Sequence, residues 1–180
     1  KKIQIIDKTL TALTSPLSFR EKTEIAKQLD KLGVDVIELP AIKNDKADSL
    51  LIKNIASVVE RTAVSVPVGY SKESVESAAA SIKDAKKPVL NVALPVSPAG
   101  MEYICSVKPA KMLEKITELV SFSKSFCENV EFSALDATRA EKDFLYKAIG
   151  EAVKAGATSV TLCDDAGVAD PEDFSEFVTD

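Results

Sequence analysis

Short runs of β-branched and other apolar residues alternate with helical patterns along the whole chain, and this alternation restricts the possible folds more than any other feature. The runs are typical of strands buried on both faces of a parallel sheet. They cover residues 3–6, 34–39, 64–68, 89–94, 130–134 and 158–163. Strand–helix units at this spacing fit either an open doubly wound sheet or most of a (β/α)8 TIM barrel. A doubly wound nucleotide-binding fold would need a glycine-rich first turn, and the first loop, Thr-Ala-Leu-Thr-Ser-Pro, has no glycine. The sequence therefore favours an α/β barrel of the TIM type, with about six of the eight units present in this chain.

Helix boundaries can be predicted from local capping signals. Ser18-x-x-Glu21 is a capping box, and the apolar periodicity that follows it ends at Gly33. Thr138-x-x-Glu141 is a second box of the same kind. The remaining helix signals are Pro109, Asp170-Pro171 and the segments 45–60 and 71–84.

Composition limits the domain count and the classes of partner. The chain has 180 residues, of which 46% are hydrophobic, so we expect one partial barrel domain over residues 1–180, with strands 1–6 and the start of the sixth barrel helix. A net charge of −5 argues against nucleic-acid binding. No apolar run approaches the length of a membrane span, and the start of the chain lacks a signal-peptide pattern. Three widely spaced cysteines suit reduced thiols in the cytoplasm.

Polar residues that follow the strands are the candidates for function, because α/β folds place their sites at the carboxyl ends of strands. Carboxylates that meet there could hold a hard cation, or one of them could carry a proton. Three of these acids also have a structural alternative: Asp7 would cap a turn, Asp136 would pair with Arg139, and Asp164 would bond loop amides. Glu38 ends an otherwise apolar strand, and a buried carboxylate there would need a partner. The candidates are Asp7, Thr9, Glu38, Tyr70, Asn91, Ser97, Ser133, Asp136, Arg139, Asp164 and Asp165.

Five segments of the chain resemble one family over essentially its whole length. They are "IIDKTL" (5–10), "SFREKTEIAKQLDKLGVDVIEL" (18–39), the segment 97–125, "VEFSALDATRAEKDFL" (130–145) and "AGATSVTLCDDAGVADPEDF" (155–174). They are similar to the DRE-TIM metallolyases, which include isopropylmalate, homocitrate and citramalate synthases and hydroxymethylglutaryl-CoA lyase. The resemblance implies a TIM barrel whose members make or break a carbon–carbon bond next to an acyl-CoA thioester. It also implies a divalent metal (Mg, Mn or Zn) that holds a 2-oxo acid.

The first-strand signature of that family, D-x-T-L-R-[DE]-G-x-Q, is only half present. It matches at Asp7, Thr9 and Leu10. Thr11 then stands at the position of the catalytic arginine and Ala12 at the position of the metal-binding acid. Thr11 carries no charge to stabilise an enolate oxygen, and Ala12 has no donor atom for a metal.

Later active-site positions show the same mixture of matches and losses. The matching residues are Ser97, Asp136, Arg139, Asp164 and Gly167. The replacements are Leu13 for the first-loop glycine, Gly100 for the histidine of S-x-x-H, Leu135 for the glutamate of E-D-x-x-R, and Asp165 for the threonine of D-T-x-G.

Two functions stay open on these grounds. One is a divergent enzyme, an acyltransferase or lyase of the Claisen type, in which Glu38 and Asp165 are the catalytic candidates and no metal ligand is assigned. The other is a non-catalytic relative, a barrel that binds a metabolite or a partner domain. We expect a small-molecule ligand and a homodimer, and we expect no binding to nucleic acid or to a membrane. The predicted substrate-binding residues are Asp7, Thr9, Ser97, Ser133, Asp136 and Arg139.

Overall fold

The computed structural model describes residues 3–12 and 17–180, and its elements follow the predicted alternation. The strands are β1 (Ile6–Asp7), β2 (Val36–Glu38), β3 (Ala63–Val68), β4 (Pro88–Pro95), β5 (Val130–Leu135) and β6 (Ser159–Leu162). The helices are α1 (Thr9–Ala12), α2 (Phe19–Leu32), α3 (Asp45–Val58), α4 (Lys72–Ile82), α5 (Pro98–Tyr103), α6 (Pro109–Lys124), α7 (Lys142–Ala155) and α8 (Pro171–Thr179). Within the described residues, no helix is both long enough and apolar enough to cross a membrane. Leu13, at the position of the family's first-loop glycine, lies outside the described residues.

The chain folds as two compact units that share strand β4. The first unit runs to Asn91 and includes Phe126–Asn129, and the second comprises Val92–Ser125 and Val130–Asp180. Strands neighbour one another in chain order, as β1-β2-β3-β4 in the first unit and β4-β5-β6 in the second. The pairs β1–β2, β2–β3 and β5–β6 are parallel. A doubly wound sheet reverses its strand order at a switch point, whereas a (β/α)8 barrel does not. The predicted barrel architecture is therefore confirmed, while the assignment of residues 1–180 to a single domain stays a prediction.

In the first unit, strand alternation separates an apolar face from a polar one. Ile37, Val64 and Leu90 are each at most 1% exposed, and helix α4 packs against β3. The predicted capping box at the start of α2 is confirmed, because Ser18 accepts the Glu21 N–H while the Glu21 carboxylate accepts the Ser18 N–H. This box satisfies two backbone N–H groups at the start of α2.

In the second unit, helices α6 and α7 pack against each other and against β5. Phe132 on β5, Ile116 on α6 and Leu145 on α7 are buried there. Pro109 begins α6, as predicted from its position at the first turn of a helix. The carboxyl ends of β4, β5 and β6 are thereby held on one packed scaffold.

Two local predictions were wrong. The first strand was expected over residues 3–6 and buried on both faces, but β1 is only Ile6–Asp7, and Ile3 is 86% exposed. The second capping box does not form, since α7 begins at Lys142 and Thr138 lies in a short 3₁₀ turn. The Thr138 hydroxyl instead donates to Asp164 Oδ1, 2.6 Å away, so a long-range partner replaces the local cap.

Candidate functional site

Asp136 is the centre of a hydrogen-bonded network at the end of β5. Ser97 Oγ, at the end of β4, donates to Asp136 Oδ2 over 2.5 Å. Arg139 donates two hydrogen bonds to the same carboxylate, from Nε to Oδ1 and from a terminal guanidinium nitrogen to Oδ2, each at 2.7 Å. Asp136 is buried and adopts a left-handed backbone conformation (φ 58°), which aspartate tolerates better than most residues. We call Ser97, Asp136 and Arg139, together with Thr138, Asp164 and Asp165, the acid–arginine network.

Asp164 and Asp165, in the loop after β6, and Thr138, in the 3₁₀ turn after β5, complete the acid–arginine network. Asp165 Oδ2 accepts the backbone N–H of Asp136. Asp164 accepts the Thr138 hydroxyl and two backbone N–H groups of its own loop, those of residues 168 and 169. Both structural alternatives stated for these acids are therefore observed: Asp136 pairs with Arg139, and Asp164 bonds loop amides.

The hydrogen bonds of the network favour the charged forms of Asp136 and Asp164. The guanidinium of Arg139 lowers the pKa of Asp136, burial opposes that effect, and the Ser97 hydroxyl reinforces it. The Thr138 hydroxyl, followed by the Ala169 N–H, lowers the pKa of Asp164. A carboxyl group with a lowered pKa is a weak base and is rarely protonated, so neither acid is suited to carry a proton near neutral pH.

The stability of the protein is expected to depend on Asp136 at acid pH. Because the folded-state pKa lies below the ordinary value of 3.8, the stabilisation is complete above that pH and is lost as pH falls through the folded-state pKa. Urea denaturation of the wild type and Asp136→Asn from neutral pH down to about pH 2.5 measures the effect. The difference between the two proteins should shrink as pH falls below about 4, whereas Glu102→Gln, at an exposed acid on α5, should track the wild type. A difference that stays constant with pH would contradict this assignment.

Ser133, a predicted substrate-binding residue, has another partner. It is buried in β5, and its hydroxyl lies 3.4 Å from Glu131 Oε1. Thr161 on the neighbouring β6 donates to the same oxygen at 2.5 Å. Its described hydrogen bond therefore links it to Glu131 and not to the acid–arginine network.

The first-unit candidates lie at the ends of β1 and β2. Asp7 accepts both the backbone N–H and the hydroxyl of Thr9, at 2.9 and 3.2 Å, so it caps the turn into α1. Glu38 ends β2 and is only 7% exposed. Lys8 Nζ lies 3.2 Å from Glu38 Oε2 as an ion pair, although the angles are not those of a hydrogen bond. The partner that a buried Glu38 requires is thus Lys8.

Thr11 and Ala12, at the family's arginine and metal-ligand positions, both lie exposed in α1. The Thr11 hydroxyl donates to the Lys8 carbonyl oxygen at 2.8 Å, which satisfies it locally. The chain has no histidine, and among the side chains that the structure describes no three from Cys, Asp or Glu converge as ligands. In the first loop, the residues present therefore do not fit the divalent metal that the resemblance implies.

The two units thus bring together different candidates. Ser97, Asp136, Arg139 and Asp165 meet in the second unit, and Asp7 and Thr9 meet in the first. Sequence reasoning missed Lys8 as the partner of Glu38. The sequence alone held no signal for this pair, because Lys8 and Glu38 are brought together by the register of β1 and β2.

Sequence relatives agree with this fold over the whole chain. Residues 2–180 match the model of the HMGL-like family. The 2-isopropylmalate synthase of Aquifex aeolicus is 35% identical across 100% of this chain and 35% of that protein. The 2-isopropylmalate synthase of Staphylococcus carnosus is 39% identical across 96% of this chain and 34% of that protein. The chain thus spans about a third of the length of these relatives.

Solved structures agree with the barrel fold. A hydroxymethylglutaryl-CoA lyase from Pseudomonas aeruginosa superposes with a TM-score of 0.77 at 14% identity, covering 98% of this chain and 61% of that one. An HMG-CoA lyase from Acinetobacter baumannii, solved with coenzyme A and 3-methylmalate, gives a TM-score of 0.72 at 16% identity over 98% of this chain and 61% of that one. These neighbours are TIM barrels, of which this chain forms a part. The family model and the sequence relatives show that the chain belongs to the HMGL-like family of DRE-TIM metallolyases.

Proposed function

We propose that this chain is a non-catalytic member of its family, which keeps the barrel and binds a small carboxylic acid without joining it to an acyl-CoA. The observation that carries the proposal is the state of the acid–arginine network. Both oxygens of Asp136 are already bonded, by Arg139 and Ser97. The acids that match the family's pattern are thereby engaged in holding strand ends together.

The first loop supports the same conclusion. A condensation reaction needs positive charge where the enolate oxygen develops, and losing one such donor typically slows the reaction by about 10²–10³. Thr11 offers only a hydroxyl, and that hydroxyl is bonded to the Lys8 carbonyl. Ala12 offers no ligand atom. No step of a metal-dependent condensation can be built from these residues.

A condensation assay tests the absence of catalysis. The full-length protein that contains this chain is mixed with acetyl-CoA and a panel of 2-oxo acids in the presence of Mg²⁺ or Mn²⁺, and thiol release is followed. A 2-isopropylmalate synthase serves as the positive control. We expect no release above the protein-free rate, and release at about 1 s⁻¹ or faster would refute the proposal.

One observation favours the second candidate, a divergent enzyme. Glu38 Oε2 is buried and accepts no hydrogen bond from the described residues, so a lone pair is available for proton transfer. If the assay gave thiol release, Glu38→Gln would abolish it under this alternative, and Asp165→Asn would be the next variant to measure.

Location and assembly are also proposals. None of the three cysteines forms a disulfide, which supports a reducing compartment such as the cytoplasm. The homodimer rests on the resemblance alone, and analytical ultracentrifugation would test it.

A further inference from the structure

Two large apolar side chains stand exposed at the end of helix α5. Tyr103 is 81% exposed and Ile104, the next residue, is 62% exposed. Single exposed apolar residues are ordinary on protein surfaces, whereas contiguous apolar patches mark interaction surfaces. Tyrosine is also among the residues that contribute most to the centres of protein interfaces. We call Tyr103 and Ile104 the apolar knob.

A groove between α5 and α6 lies beside the apolar knob. Its volume is about 530 Å³, and residues 102 and 106, which flank the knob in sequence, both line it. Most of its other lining side chains are apolar, and one acid and one base stand among them. These lining residues are Pro98, Met101, Val107, Pro109, Glu102 and Lys108. We call the knob and the groove together the α5–α6 surface.

The turn between α5 and α6 gives this surface a fixed shape. The Ser106 N–H donates to the Glu102 carbonyl oxygen at 3.2 Å, and the Val107 N–H donates to the Met101 carbonyl oxygen at 2.9 Å. Ser106 has a left-handed backbone (φ 51°), so the two bonds form a Schellman motif with serine where glycine is usual. A surface that is already ordered loses little entropy when it binds.

The remaining strands of the barrel would not cover the α5–α6 surface. Helices α5 and α6 follow β4, and the strands neighbour one another in chain order from β1 to β6. The further units of an eight-stranded barrel would therefore lie between β6 and β1. A cover for the surface would come from a further domain or from another molecule.

The charges of the surface favour a second copy of the same chain. Glu102 and Lys108 are both exposed, and within the part of the chain that the structure describes neither side chain forms an ion pair. A two-fold interface brings the same patch of both molecules together. Each knob can then meet the groove of the other copy while each Glu102 meets the other copy's Lys108. A patch that carries a knob, a groove and one charge of each sign is complementary to itself.

We propose that the α5–α6 surface joins two copies of this chain about a two-fold axis, with the apolar knob of each copy seated in the groove of the other. This inference goes beyond the proposed function and does not depend on it, since a catalytic and a non-catalytic barrel could pair in the same way. It assigns a surface to the homodimer, for which the resemblance names none.

Analytical ultracentrifugation of the full-length protein that contains this chain tests the proposal. We expect a dimer, and Tyr103→Glu should raise its dissociation constant by about 100-fold or more, because the loss of a central interface tyrosine is counted twice in a two-fold dimer. Leu50→Glu, at a 60% exposed leucine of α3, is the matched control and should leave the dimer unchanged. A monomeric wild type, or a dimer that Tyr103→Glu leaves intact, would overturn the inference without touching the proposed function.

Charge reversal distinguishes a two-fold interface from any other cover. Lys108→Glu should weaken the dimer by about 10-fold, because it sets like charges opposite each other at two places. Adding Glu102→Lys to that variant should restore the dissociation constant to within about 3-fold of the wild type, and failure of this rescue would overturn the two-fold geometry. Neutralising Glu102 alone should change little, because exposed ion pairs contribute little. A protein in which Tyr103→Glu lowers the urea midpoint but not the mass would have a domain of its own over the surface, and the inference would fail.

Discussion

Replacing Asp30 with alanine is expected to lower the free energy of unfolding by about 3 kcal/mol, which would make it among the most damaging single substitutions in the first unit. Asp30 lies near the end of α2 and is 9% exposed. Its carboxylate accepts the backbone N–H groups of Glu60, Arg61 and Thr62, at 3.2, 3.0 and 2.8 Å. Alanine would leave these donors unpaired where the chain turns into β3, and the Thr62 N–H has little access to water.

Urea denaturation at neutral pH measures this loss. Asp84→Ala, at an exposed acid of the same unit, is the matched control and should change the free energy of unfolding by less than about 0.5 kcal/mol. Asp30→Asn keeps one acceptor oxygen and should fall between the two. Burial acts to raise the pKa of Asp30, but the three N–H groups together lower it below 3.8, so its contribution should fade as pH drops through the lowered pKa. An Asp30→Ala protein as stable as Asp84→Ala would contradict this role.

Asp30 also shows what sequence reasoning can and cannot reach. The capping box of Ser18 and Glu21 involves residues three apart, so its pattern is visible in the sequence and was predicted correctly. Asp30 contacts backbone groups about thirty residues away, and any acid at the end of a helix looks the same in sequence. The Thr138 box failed for the same physical reason, since Asp164 lies 26 residues away and competes for the hydroxyl.

The same distinction between local and long-range contacts applies to the site residues. Ser97, Asp136 and Arg139 were found from their positions after strands and from the resemblance, and the ion pair of Asp136 with Arg139 was among the stated alternatives. The bond from Ser97 to Asp136 depends on how β4 and β5 are aligned, and the sequence does not contain that alignment. Lys8 was overlooked because the family signature leaves its position variable. Its importance appears only when the register of β1 and β2 places it opposite Glu38.

Gly100, where the resemblance places a histidine, is expected to accept no side chain at all. A Cβ atom built there would lie 2.7 Å from Pro95 Cβ and 3.0 Å from Ser97 Oγ. Proline is rigid, and Ser97 is held by Asp136 on one side and by the Gly100 N–H on the other. Gly100→Ala should therefore lower the free energy of unfolding by about 1–3 kcal/mol, the usual range for an overpacked site.

Gly150→Ala provides a control of opposite sign. Gly150 lies inside α7, and a Cβ atom there would meet nothing within 4 Å. Alanine should raise the free energy of unfolding by about 0.5–1 kcal/mol through its better helix propensity. The two substitutions are chemically identical, so a difference in sign would isolate the steric effect at Gly100. Equal responses would show that the Pro95 contact relaxes without cost.

The closed position at Gly100 determines what restoration of the family's residues can achieve. A variant that carries Thr11→Arg, Ala12→Asp and Gly100→His regains the family's charged and metal-binding residue types, but not necessarily their positions in the pocket. The histidine must displace Pro95 or Ser97, and moving Ser97 removes one of the bonds that hold Asp136 in place. We therefore expect thiol release from acetyl-CoA to stay at the protein-free rate in this variant, and we expect Thr11→Arg with Ala12→Asp to remain inactive but folded. Turnover of the triple variant at about 1 s⁻¹ or faster would show that the loss of catalysis is confined to the replaced groups and that the surrounding pocket is intact.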